Sequence, residues 1–327
     1  MPIPPHNQGR LVAIVVTYNR LHQLKVTVDR LLASPESELA QLIVVDNAST
    51  DGTADWLATC TDPRLISLRA ERNEGGAGGF VRGMTAAMAA SAPDWLVLMD
   101  DDGRPEAGTL ARFHGLDLSG WDALAAAVFL PDGAICDMNR PSRNPFARPA
   151  VFLRTLLRLG GREGFHLSRA DYSQSTPRPI DITSFVGFFL RADLVRRFGY
   201  PDPRLFVYAE DGLYTLGLSK AGARIAFHPA LRFEHDLSTF SGAAGGFNPL
   251  WKVYYYHRNL LLLYRAAAGP LLWPLLVMLV AKWALKARWH PGERACYLCL
   301  LWHAIRDGLG RRLTLSHDEV LALCCKD

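Results

Sequence analysis

Cysteine is scarce in this chain: six residues in 327, at positions 60, 136, 296, 299, 324 and 325. A chain this long buries enough surface to fold without staples, so a disulfide framework is excluded and the thiols read as reduced, in a cytosolic protein. Cys296 and Cys299 form one CxxC inside the apolar stretch CYLCLLWHAI, with no second CxxC to close a zinc site, and read as small buried hydrophobes. The amino terminus, MPIPPHNQGR, has no basic segment leading into an apolar one, so no secretory signal is expected. Internal repeats and low-complexity tracts are also lacking. Between Arg265 and Lys282 lie 16 uncharged residues, AAAGPLLWPLLVMLVA, with Pro270 and Pro274 among them. A spanning helix needs about 20 apolar residues, so this run is short.

What is present is an ordinary globular composition, 49% hydrophobic and 21% charged, which excludes disorder. The net charge of +4 is small but uneven: residues 251–327 carry 11 Lys and Arg against 5 Asp and Glu. Such a basic tail suits an acidic partner, and membrane phospholipid and nucleic acid both qualify. Trp273, Trp283, Trp289, Lys282, Lys286 and Arg288 flank or interrupt the apolar run, a mixture suited to a headgroup boundary. Residues 266–289 are therefore expected to lie on or dip into a membrane; a buried helix and a true span remain alternatives.

The first half alternates β-branched or apolar runs with helical patterns: strands at 11–19, 41–49, 64–70 and 94–100, helices at 21–34, 51–59 and 78–91. This βαβαβαβ order predicts a mostly parallel, Rossmann-like α/β sheet covered by helices. Right-handed crossovers bring the carboxyl ends of those strands to one edge, where ligands bind. From 104 to 180 the pattern loosens, and the middle of 140–164 reads as a mobile loop. A strand running into a helix follows at 179–199, and a last strand at 223–236. The chain divides into residues 1–240, which carry the sheet, and a helical region at 241–327.

The chemistry-bearing residues gather at the strand ends. Asp100 and Asp102 in LVLMDDDGRP lie two apart, so in extended chain their oxygens share one face and suit Mg²⁺ or Mn²⁺, with Asp101 pointing away. His235 ends the last strand and is the favoured third ligand, with His228 a mid-strand competitor. Asp46 ends the second strand, where a carboxylate accepts from a nucleobase N–H or a ribose hydroxyl, or else caps the next helix. RNEGGAGGFVRG is a Gly-rich turn, with Asn73, Gly76 and Gly78, that offers backbone N–H groups to an anion. It lacks the third glycine of a dinucleotide fingerprint, Val81 standing there. Arg82 is a diphosphate partner or a surface cation. Glu210 and Asp211 precede a helix, either as proton acceptors for an attacking hydroxyl or as helix-capping acids.

Taken in order, VVTYNR, VVDNASTDGT, RNEGGAGGFVRG, LMDDDGRP, GFFLRADLVRRFGYPDPRLFVYAED and the histidine at 235 resemble the family 2 glycosyltransferases of GT-A fold, over roughly residues 10–240. Within that family the glycines and the full MDDD are similar to the galactofuranosyltransferases and their rhamnosyltransferase relatives. The resemblance implies inverting sugar transfer from a nucleoside diphosphate donor, most often a UDP-sugar, with a dTDP-rhamnose donor as the alternative. It implies that Thr17, Tyr18, Arg20 and Asp46 hold the nucleotide, with Asn73, Gly76, Gly78, Arg82 and Asp101 joining the nucleotide-sugar site. It further implies that Asp100, Asp102 and His235 hold Mn²⁺ or Mg²⁺, that Asp211 is the base with Glu210 its neighbour, and that Gly187 to Phe189 line the acceptor side. Leu213 and Gly217 stand where the family often has an acid and a basic residue, which bears on acceptor contacts. The implied partners are the donor, a glycan or glycolipid acceptor and the inner face of the cell membrane, with no nucleic acid. A Rossmann-type oxidoreductase and a non-catalytic nucleotide-sugar-binding protein are the competing classes.

Overall fold

A computed structural model describes residues 9–157, 161–239 and 246–323. Its first element, β1 (Leu11–Thr17), is buried along its whole length. Side chains alternate along a strand, so Val12, Ile14 and Val16 enter one core and Leu11, Ala13 and Val15 the other. Both faces therefore need helices. These come from α1 (Leu21–Leu32) and α3 (Gly75–Ala90), while β2 (Gln41–Asp46), α2 (Thr53–Thr59), β3 (Leu65–Arg69) and β4 (Trp95–Asp100) complete the first half. Leu24, Val28 and Leu31 of α1 cover one face; Phe80, Met84 and Ala87 of α3 cover the other.

The second half contains β5 (Gly103–Pro105), α4 (Thr109–Gly115), β6 (Ala123–Phe129), α5 (Pro149–Leu157), β7 (Arg178–Ile180), β8 (Phe188–Arg191), α6 (Ala192–Phe198), α7 (Glu210–Lys220) and β9 (Ile225–His235). The sheet runs β3-β2-β1-β4-β8-β6-β9-β5, with β7 also on β9. Strands β1 to β4 pair in parallel, as their sequence pattern predicts. Beyond β4 the sheet is mixed: β8 is antiparallel to β4 and β6, and β9 is parallel to β6 but antiparallel to β5 and β7. The register Gly103 opposite His235 brings the end of β9 beside the acidic turn after β4.

The Gly-rich segment is the first turns of α3 rather than a free turn. A Cβ on Gly79 would lie 2.4 Å from Val16 Cγ1, and one on Gly83 2.5 Å from Ile14 Cγ2. These glycines let the helix approach β1 closely, a packing role that composition alone does not separate from anion binding.

Helices α8 (Lys252–Ala268), α9 (Leu272–Ala284), α10 (Arg294–Leu309) and α11 (His317–Leu323) form a third cluster around Tyr254, Tyr255, Trp283, Tyr297 and Leu300. Phe206, Val207 and Tyr208 pack against it, so the helical region is docked on the sheet domain. The stretch Lys252–Trp289 is long and apolar enough to cross a membrane, yet it turns at Gly269, which has φ +56°. Two expectations are corrected. The middle of 140–164 holds α5, and the buried Arg140 meets Asp137 at 3.2 Å and Glu163 at 2.8 Å; residues 158–160 lie outside the described residues. Cys299 is exposed and Cys296 half-buried, because the buried stripe of α10 runs through Tyr297, Leu300, Leu301 and Ala304. Cys324 and Cys325 lie outside the described residues.

Two histidines give the fold an acid limit. Burial pulls His166 down to about 4 and His257 down to about 3, against hydrogen bonds from their Nδ1 to the carbonyls of Arg140 and Val253. In the unfolded chain both titrate at about 6.5, so below that pH the unfolded state binds more protons. Their contribution is intact above about pH 6.5 and is lost as pH falls toward 4 and then 3. Melting midpoints measured from pH 7 to pH 5 are expected to fall, and His166→Asn is expected to flatten part of that slope.

Candidate active site

The loop after β1 starts the site. Thr17 Oγ1 donates to Asp101 Oδ2 at 2.7 Å, and Asp101 is buried beneath it. Arg20 lies 3.5 Å from Asp101 Oδ1 and also bonds Asp102 through Nη1. Between them Tyr18 is 45% exposed, its ring open to solvent at the strand end. Asn19, with φ +54°, ties this loop to the next: its N–H donates to Ser49 Oγ at 2.9 Å and its Oδ1 accepts from Thr50 N at 2.7 Å. Asp46 is fully buried at the end of β2. Its Oδ1 accepts from Ser49 N at 2.8 Å, while its Oδ2 receives no hydrogen bond and has only Arg69 at 3.9 Å. A buried carboxylate oxygen left open is costly, and one at this edge is positioned for a ligand's donor.

The acids after β4 are not equivalent. Asp102 Oδ1 meets His235 Nε2 at 3.1 Å, and His235 Nδ1 lies 2.8 Å from Asn139 Oδ1. Burial alone would raise Asp102, but His235 and Arg20 hold it below the usual carboxylate range. Burial works against a charge on His235 too, yet the hydrogen bond and charge of Asp102 lift it to about 10. Asp100 and Asp101 are each pushed up to about 7, by burial first and then by the charge of Asp102. Asp101 is drawn to Thr17, the last residue of β1, and to Arg20 in the loop that follows, rather than simply turned away.

Glu210 and Asp211 are the first two residues of α7, where the helix dipole favours negative charge. Burial still pushes Asp211 up to about 6, against hydrogen bonds from the Asp211 and Gly212 N–H groups. Glu210 is raised well above its ordinary value by burial and by Asp211, and its Oε2 is buried without a hydrogen bond. Asp211 in turn adds to the rise at Asp100, and Asp100 to that at Glu210, so the two acid pairs share one electrostatic neighbourhood. Gly76 of α3 faces Glu210: a Cβ there would stand 3.2 Å from Oε1.

Asp100, Asp102 and His235 are a hard oxygen and imidazole set that fits Mg²⁺ or Mn²⁺, in a place where buried carboxyls outnumber cations. Among the described residues no three such side chains already converge as a finished metal site. Asp102 and His235 satisfy one another instead.

Other expected residues lie further out. Asn73 Oδ1 accepts from Gly75 N at 2.8 Å, and a Cβ on Gly78 would meet Glu74. Arg82 is bonded by Glu74, at 2.9 Å to Oε1. These three line a cleft of about 1040 Å³ between α3 and residues 313–318, and Asp100, Asp101, Asp102, Glu210 and Asp211 do not line it. Phe188 and Phe189 are fully buried in opposite cores, so the strand alternation of β8 prevents both from lining an acceptor surface. His228 is buried, with Nδ1 accepting from Ala230 N at 3.3 Å. Asn139, which orients His235, escaped sequence reasoning because it sits in an irregular segment with no periodic signal.

Residues 12–161 match the model of glycosyl transferase family 2. Galactofuranosyltransferase GlfT1 of Mycolicibacterium smegmatis is 35% identical over 203 residues, covering 61% of this chain and 62% of its own. The chain thus spans about three fifths of the length of the curated relatives it matches. Among solved structures, GalNAc-T7 with UDP, GalNAc and Mn²⁺ superposes with a TM-score of 0.56 at 15% identity, over 79% of this chain and 48% of that one. S. aureus TarS 1-349 in complex with UDP-GlcNAc gives 0.52 at 15% identity, over 95% of this chain and 77% of that one. At such identities the likeness shows the fold, which is that of GT-A enzymes.

Removing one partner of the buried Thr17–Asp101 bond leaves a carboxyl unsatisfied. Thr17→Val is expected to cost about 1–3 kcal/mol, read as a lower denaturant midpoint with an unchanged slope.

Proposed function

We propose, starting from the match of residues 12–161 to glycosyl transferase family 2, that the chain transfers a sugar, with inversion, from a UDP-sugar to a hydroxyl of a lipid-linked or cell-envelope glycan. The observation that carries this reading is the shared neighbourhood of Asp100, Asp102, Glu210 and Asp211 at the carboxyl edge, beside the open oxygen of Asp46. Galactofuranose is the favoured sugar because the relative named above is a galactofuranosyltransferase. No relative reported above favours the rhamnosyl alternative. A dinucleotide-dependent oxidoreductase is disfavoured, since the glycines it would use, Gly76 and Gly78, lie inside the first turns of α3 and face Glu210 and Glu74.

On this reading Asp46 accepts from the nucleobase or ribose through its free Oδ2, with Thr17, Tyr18 and Arg20 framing the nucleotide. Asp211 takes the proton of the acceptor hydroxyl as its oxygen attacks the anomeric carbon, on the face opposite the departing diphosphate, so the configuration inverts. A proton acceptor titrating at about 6 suits that task near neutral pH. Asp100, Asp102 and His235 would hold Mn²⁺ or Mg²⁺, which when bound supplies positive charge to the leaving diphosphate. Holding that cation requires His235 to give up its proton and its pairing with Asp102, while Asn139 keeps the ring oriented.

The site is expected to work at the inner face of the cell membrane. Trp273, Val277, Met278 and Leu285 are exposed, Val277 at 76%, with Lys282 and Arg288 nearby in sequence. The 13 residues of α9 span about 20 Å, short of the roughly 30 Å hydrocarbon core, which supports lying in the interface over crossing it.

Three measurements test this. Mn²⁺ with UDP is expected to raise the melting temperature of the wild type but not of Asp102→Asn, and Asp211→Asn is expected to lose transfer about a hundredfold or more while still binding UDP. Full turnover by Asp211→Asn would remove the base assignment. In flotation with anionic phospholipid vesicles, Trp273→Ser combined with Val277→Ser is expected to weaken binding without changing the melting temperature.

A further inference from the structure

The segment that delivers Asp211 is strained. Phe206, Tyr208 and Ala209 have φ of +67°, +71° and +60°, and none of them is glycine. Three left-handed residues in four persist only if something outside the segment holds them. Two adjacent residues of α8 do so. Asn259 Nδ2 donates to the carbonyls of Leu205, Val207 and Tyr208, each at 2.9 Å. Arg258 Nη2 donates to the carbonyls of Arg204 at 3.1 Å and Leu205 at 3.0 Å. Arg258 Nε donates to Asn259 Oδ1 at 2.8 Å, which dictates the orientation of the amide and aims its N–H₂ at the segment.

Both residues are 0% exposed, and the guanidinium lies about 5 Å over the rings of Tyr254 and Tyr255. A buried cation is expensive compared with a hydrocarbon of the same volume, and apolar residues would fill this helical cluster at least as well. The polar pair spends its hydrogen bonds on one segment, and that segment ends in Glu210 and Asp211. The opposite side is clamped as well: Phe206 O accepts from Ala77 N of α3 at 3.0 Å, and Phe206 stacks on Tyr255 at 4.8 Å and His317 at 4.4 Å.

We propose that Arg258 and Asn259 are positioning residues for Asp211: they lock residues 205–209 in the conformation that aims the base, with Phe206, Tyr208 and Ala209 at positive φ, and so make the helical region part of the catalytic unit. This rests on the reading of Asp211 as the base. A purely structural pair would lower stability when replaced and leave the turnover of the folded fraction unchanged.

Asn259→Leu keeps the volume and removes the donors. Its kcat is expected to fall about a hundredfold, the loss typical of a reacting group displaced by an ångström, with the KM for the UDP-sugar and the Kd for UDP plus Mn²⁺ within about threefold. Amides of 206–211 are expected to exchange hydrogen at least about tenfold faster. Arg258→Lys, which keeps the charge but lacks the Nε–H to Asn259, is expected to rescue neither readout. Leu300→Ala, a cavity in the same cluster away from the segment, is expected to lower the melting temperature and leave kcat unchanged. If Asn259→Leu does not fold, Asn259→Ser carries the same expectation at smaller amplitude. Unchanged exchange at 206–211, or a kcat that falls only with the folded fraction, overturns the proposal. If Asp211→Asn itself turns over normally, the base assignment fails, while the exchange result still judges the clamp.

Discussion

Like charges held close together at the dry edge of a sheet are the constraint around which this molecule is arranged. Asp100, Asp101 and Asp102 leave β4 in succession, and α7 begins with Glu210 and Asp211 in the same electrostatic neighbourhood. Left alone, such a set would protonate or push the strands apart. Arg20 and His235 answer part of the charge, the dipole of α7 answers another part, and the remainder is what a divalent cation would answer. Rigidity around the acids is the cost of keeping them there, and the surrounding elements supply it.

That rigidity comes from close backbone approaches. Glycines at 79 and 83 let α3 sit against β1, and Gly75, at φ +70°, leaves room for the carbonyl of Phe206. With α3 seated in this way, the segment preceding α7 is trapped between α3 and α8. Helical cluster and sheet domain are therefore mechanically one object at the site, although their compositions differ sharply along the chain. The exposed apolar residues of α9 lie on that same cluster, so a membrane surface engaged there would be only a few packed side chains from the strained segment.

Much of the sheet domain was legible in advance. Four β-branched or apolar runs separated by helical patterns gave β1 to β4 to within a few residues, and strand ends that carry acids pointed to the ligand edge. In the mixed half the strand running into a helix at 179–199 and the last strand at 223–236 were legible, as β8 with α6 and as β9, whereas β5 and β7 were not, because each is three residues long and pairs with a strand far away in sequence. Helix α5 was read as loop because Pro and Arg dominate its surroundings. Gly-rich sequence suggested an anion cradle, and the fold uses Gly75, Gly79 and Gly83 within it for close packing, since both uses demand the same missing side chain.

The amino-acid order by itself determined the parallel half of the sheet, the edge at which chemistry collects, the acids and histidine that supply it, and the tryptophan-flanked apolar tail. These follow from local periodicity and from residue type. Tertiary structure alone decided which acid faces which partner: Asp101 under Thr17, Asp102 against His235, Asn139 behind that ring, and Asn259 beneath the segment that carries Asp211. Each of these contacts joins residues about 50 to 130 positions apart, and a distance of that kind is set by how strands and helices pack, which no local pattern encodes.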